Sequence, residues 1–187
     1  MTAPSALLLA PGAGASRDHH TLVALEQALT PMPVARMDFP YRKAGKKSPD
    51  RAPVAIAAVV EEATQLSESA GVAPESIVLG GRSFGGRMCS MAVAEGLPAA
   101  GLVLLSYPLH PPGKPDRLRI EHFEAITVPC LFISGTKDPF GSPEELEAHG
   151  AAISGPVTHV WLPGGHDPRN ADAPIAEAVD SWLATLT

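Results

Sequence analysis

Residues Ile77–Met88 read IVLGGRSFGGRM, and this stretch decides how the chain is interpreted. The apolar run Ile77–Gly80 predicts a short strand, and a helix is expected from about Phe84. Ser83 falls at the junction. The pattern Gly81-Arg82-Ser83-Phe84-Gly85 has the G-x-S-x-G spacing of a strained strand-to-helix turn that exposes a serine hydroxyl. Glycines at 80, 81, 85 and 86 suit the crowding of such a turn, where strand and helix backbones nearly meet. A match of five residues also arises by chance, so its meaning rests on the rest of the chain.

Around this turn, β-type runs alternate with helical stretches. The runs are Ala6–Ala10, Val34–Asp38, Leu102–Ser106, Cys130–Ser134 and His159–Leu162. Several are apolar on both faces, as in a parallel sheet covered on both sides. Ile56, Val59, Ala63 and Leu66 repeat at helical spacing behind Pro53, a residue suited to a first helical turn. Ser142-Pro143-Glu144-Glu145 has a capping-box spacing. Ile175, Val179, Trp182 and Leu186 form one helical face behind Pro174. The expectation is a single α/β domain over residues 1–187, a three-layer sandwich with a mainly parallel sheet of about six strands. Tyr107–Arg119, with four prolines, is the one long irregular segment.

Composition narrows the function classes. Of 187 residues, 45% are apolar and 18% charged, which describes a compact globular chain. The net charge of −6 argues against nucleic-acid binding, which needs clustered Lys and Arg. The basic stretch Arg42–Lys47 reads as a solvated loop. Cys89 and Cys130 are expected as buried free thiols, neither spaced from a histidine as metal ligands are, so no metal is expected. The start, MTAPSALLLAPGAGA, lacks a positive n-region and has too short an apolar run for a signal peptide. No apolar run reaches membrane-spanning length. A soluble cytoplasmic protein is expected.

Ligands of a parallel α/β sheet bind beyond the carboxyl ends of its strands. Ser83, Asp138 and His166 each follow a predicted strand, in that chain order. A serine hydroxyl needs a base to become a nucleophile, and His166 could take its proton. Asp138 would fix the imidazole tautomer and stabilise the imidazolium. A hole for an oxyanion would use the N–H of Phe84 and one from the loop APGAGAS, Ala13 first and Gly14 as the alternative. Pro11 has no N–H to offer. Asp167 adjoins His166, but loop neighbours usually point apart. Asp38, ending the second strand, could bind substrate or serve as a structural turn residue.

The stretches LAPGAGAS, DFPYR, GGRSFGGRM, YPLHPPGKPDRLR, FISGTKDPFG and PGGHD together resemble a small α/β-hydrolase of the dienelactone-hydrolase-like type. The likeness is to the compact branch that includes testis-expressed protein 30. The resemblance implies a serine hydrolase acting on an ester, thioester or related acyl bond of a small molecule, without cofactor, nucleic acid or membrane. It implies no cap domain, and the first two strands of a full hydrolase are expected to be absent. Gly14, Tyr107 and His110 are expected to meet the substrate, with His110 either lining the acyl pocket or facing solvent. Either a monomer or a homodimer fits.

Two other readings stand beside it. One is a non-catalytic interaction module on the same scaffold. The other is dinucleotide binding through Gly12-Ala13-Gly14 and Asp38, weakened by Arg17 at the place of the third glycine.

Overall fold

The computed structural model describes residues 3–186. Six strands, β1 (Ala6–Ala10), β2 (Val34–Arg36), β3 (Ile77–Arg82), β4 (Gly101–Leu105), β5 (Cys130–Gly135) and β6 (Val157–Leu162), form one sheet in the order β2-β1-β3-β4-β5-β6. Every neighbouring pair is parallel. The helices are α1 (His20–Ala28), α2 (Pro40–Lys43), α3 (Ala52–Ala70), α4 (Phe84–Ala94), α5 (Pro143–Gly150) and α6 (Asp172–Leu183).

Side chains alternate across each strand and so feed two apolar layers. Leu7 and Leu9 of β1, Val103 and Leu105 of β4, and Leu131 and Ile133 of β5 face α1 and α6, meeting Leu22, Leu25, Val179 and Trp182. Ala6, Leu8, Leu79, Leu104 and Phe132 face α3 and α4, meeting Val59, Ala63, Met88 and Ala92. All four residues of the stripe expected on α3 are buried, as are the four at the C-terminal end. The reciprocal capping box at Ser142 and Glu145 starts α5, with Pro143 in the first turn.

Strand ends differ from expectation where the ladder decides them. β2 stops at Arg36, and Asp38 instead accepts the N–H of Arg17 at 2.8 Å. That is the structural turn role. β3 runs two residues past Gly80 because Gly81 and Arg82 still pair with Leu104 and Leu105 of β4.

Site position follows from topology. From β1 the chain reaches β2 through α1 on one face. It returns to β3 through α3 on the other. This reversal leaves a crevice beyond the carboxyl ends of β1 and β3, where ligands of open α/β sheets bind.

Candidate active site

Ser83 occupies the sharp turn between β3 and α4 with φ 47° and ψ −114°. A non-glycine residue held in such backbone costs about 1–3 kcal/mol and persists only where its surroundings enforce it. Here the Ser83 N–H donates to the Leu105 carbonyl at 2.8 Å, and its own carbonyl accepts from the Arg87 N–H at 3.0 Å. The flanking glycines answer to crowding: a Cβ at Gly81 or at Gly85 would collide with the Ala10 carbonyl of β1.

Three strand ends converge on this serine. Ser83 Oγ lies 2.8 Å from His166 Nε2. His166 Nδ1 lies 2.8 Å from Asp138 Oδ2 and 3.0 Å from Oδ1. The Asp138 side chain is only 1% exposed, and its Oδ1 also accepts the Phe140 N–H at 2.9 Å. Facing a carboxylate, Nδ1 carries the proton, which leaves Nε2 as the acceptor toward the hydroxyl. The Phe140 ring covers the imidazole at a centroid distance of 4.1 Å.

Arg82 is the neighbour that sequence reasoning overlooked. It is 9% exposed and reaches three partners. One terminal nitrogen contacts His19 Nε2 at 2.6 Å and Asp167 at 3.2 Å; the other donates to the His166 carbonyl at 2.6 Å. A guanidinium at the end of a buried strand needs such partners, and that mismatch was the available signal. Asp167 thus pairs with Arg82, while the His166 imidazole pairs with Asp138. Burial, with the Arg82 charge second, pushes the His19 pKa down.

Among the described residues, His19, His20 and Asp167 bring potential metal-ligand atoms within 4.8 Å of one another. Arg82 already supplies the cation there, and His20 Nδ1 is paired with Asp172 at 2.7 Å. The arrangement is an ion-pair network more than a vacant coordination site.

An open cleft of ≈ 450 Å³ lies over these groups, lined by Gly12–Ala15, His19, Arg82, Ser83, Phe140, His166 and Asp167. Ala13 and Gly14 therefore share the cleft with Ser83. Phe84 is the first residue of α4, so its N–H has no partner within the helix.

Tyr107 and His110 are not brought to this cleft, contrary to the expectation that they meet substrate. Tyr107 is 1% exposed, packs against Phe123 and Phe132, and donates its hydroxyl to the Arg119 carbonyl. His110 is buried beside Glu145, with Nε2 at 3.4 Å from its carboxylate. The aromatic cluster draws this segment into the α3/α4 layer instead of over the serine.

Fold and cleft together define an α/β-hydrolase architecture. Residues 3–174 match the family model described as alpha/beta hydrolase domain, and the chain belongs to that family. It is similar in structure to a hydrolase of the alpha/beta superfamily from Xanthomonas campestris pv. campestris, at 19% identity and TM-score 0.72, covering 97% of this chain and 98% of that one. A dienelactone hydrolase from Anabaena variabilis matches at 18% identity and TM-score 0.77, covering 98% and 87%. A thioesterase from the prodiginine biosynthetic pathway of Streptomyces coelicolor matches at 17% identity and TM-score 0.68, covering 97% and 85%. Among the described residues, no helix is long and apolar enough to cross a membrane.

Proposed function

We propose that the protein is a serine hydrolase that cleaves a carboxylic ester, a thioester or a related acyl bond of a small molecule through an acyl-enzyme intermediate. The observation that carries this reading is the unbroken chain from Ser83 Oγ through His166 to buried Asp138, with both links at 2.8 Å.

In this reading, His166 Nε2 takes the Ser83 proton as Oγ bonds to the acyl carbon. Asp138 stabilises the imidazolium without itself taking the proton. The oxyanion is met by the N–H of Phe84 and by one from Ala13 or Gly14. The imidazolium then gives its proton to the leaving oxygen or sulfur, whose bond to carbon breaks. Water, deprotonated by the same imidazole, releases the acid and restores Ser83.

The open cleft suits a small or protruding acyl group. Structural neighbours that include a dienelactone hydrolase and a thioesterase support the bond class. A cytoplasmic enzyme working as a monomer or homodimer is the accompanying expectation.

A fluorophosphonate probe tests the proposal, because it bonds covalently to an activated serine. Labelling is expected for the native chain and should vanish in Ser83→Ala. Turnover of p-nitrophenyl esters should fall in parallel, by roughly 10⁶-fold as for an activated serine in other hydrolases. A folded sample that stays unlabelled from pH 6 to pH 9 would overturn the reading in favour of an interaction module.

A further inference from the structure

Tyr41 is buried, yet its hydroxyl reaches the loop that lines the cleft. Its hydroxyl donates to the Ala13 carbonyl at 2.6 Å. Its own backbone N–H is fixed by Asp50 Oδ2 at 2.9 Å, so the donor is anchored at both ends. Burial pushes the phenol pKa up, so it remains a proton donor across the neutral range.

Residues flanking Tyr41 touch the same machinery. Phe39 meets the Phe84 ring edge-on at 5.1 Å, and Asp38 accepts the Arg17 N–H at 2.8 Å. One short segment, 38–41, therefore braces both the loop after β1 and the first residue of α4.

In a trans peptide, C=O and N–H point in opposite directions. Holding the Ala13 carbonyl fixes the plane of the 13–14 peptide and turns the Gly14 N–H away from Tyr41. It also pins the Cα of residue 13, to which the Ala13 N–H group is attached. Without the hydroxyl, the carbonyl loses its partner, and the peptide is free to rotate and present oxygen where N–H is needed. An oxyanion site works through donors that are already aimed before charge develops.

Resting on the hydrolase reading above, we infer that Tyr41 is the positioning residue of the oxyanion loop: its hydroxyl orients the 13–14 peptide beside Ser83. Tyr41 touches neither substrate nor the reacting atoms; it acts through that peptide.

The test compares two matched deletions. Tyr41→Phe removes one oxygen and keeps the ring. Tyr107→Phe does the same at the other tyrosine, whose hydroxyl also holds a backbone carbonyl, at 2.7 Å, but away from the cleft. With p-nitrophenyl esters, Tyr41→Phe should lower kcat roughly 10- to 100-fold, less than the 10²- to 10³-fold typical of losing a donor outright. KM should stay within about twofold, as expected when only transition-state binding is lost. Affinity for a trifluoromethyl ketone, which forms an oxyanion on the serine, should weaken by a similar factor to kcat. Tyr107→Phe should leave both within about twofold.

Amide ¹H–¹⁵N shifts of Ala13 and Gly14 give a readout independent of turnover, and should move in Tyr41→Phe alone. Equal loss of kcat in the two variants, or unchanged Ala13 and Gly14 amides in Tyr41→Phe, would overturn the inference. Absence of fluorophosphonate labelling in the native chain would instead defeat the hydrolase reading, while the amide shifts would still decide the role of Tyr41.

Discussion

Ser83 and Ser106 end neighbouring strands in nearly the same way. Both have positive φ, 47° and 49°. Both donate their N–H to the next strand, Ser83 to Leu105 at 2.8 Å and Ser106 to Ile133 at 2.7 Å. Near each, a loop is held by a buried tyrosine, Tyr41 on Ala13 and Tyr107 on Arg119. Of the two, Ser83 alone has an imidazole at 2.8 Å, and the loop near it lines an open cleft. Backbone strain and a fastened loop are thus general devices of this sheet edge. What separates the two regions is the imidazole delivered by the loop after β6 and the small residues that let β1 approach α4.

The comparison breaks hardest at Gly85. A Cβ there would collide with the Ala10 carbonyl and come within 2.6 Å of the Pro11 carbonyl, so Gly85→Ala must push α4 away from β1. Loss of the folded state, or of all probe labelling, is expected by circular dichroism and fluorophosphonate assay. Gly113 in the other loop has open space around it, so Gly113→Ala meets only the strain of φ 70° and should fold and label normally.

A smaller effect separates the two tyrosines. Tyr107→Phe should cost about 1 kcal/mol, the net worth of one hydrogen bond, read as a lower denaturation midpoint with activity unchanged. A drop in kcat there would erase the distinction between the two loops.

A pH-dependent effect is confined to the second region. His122, after the 107–119 segment, is bonded to Ser90 Oγ at 2.8 Å, and burial foremost, then Arg87, lowers its pKa to about 4. The folded value lies below the unfolded value of 6.5, so the unfolded chain binds the proton more tightly. Its stabilising contribution is complete above about pH 6.5 and is lost as the pH falls toward about 4. Thermal midpoints measured between these limits should show that slope, and His122→Gln should flatten it. An unchanged slope would show that other groups govern acid stability.

Much of this was readable in the chain. Alternating apolar runs reported the doubly wound sheet because strands buried on both faces have no polar side to show. G-x-S-x-G, Asp138 and His166 were legible because a strand-end turn constrains residue type locally. Arg82, Phe140 and Tyr41 were not, since each acts on residues distant in sequence. Tyr107, expected to meet substrate, is placed elsewhere for a related reason: nothing local shows that Phe123 and Phe132 receive its ring.

The sequence by itself determined the alternation of strands and helices, the turn at Ser83 and the candidate acid and base, all set by local pattern and chain order. Tertiary structure alone decided that these three meet at hydrogen-bonding distance, which tyrosine braces the cleft, and that Asp167 serves Arg82. Those outcomes depend on the packing of strand-end loops against one another, and no local propensity encodes that distance.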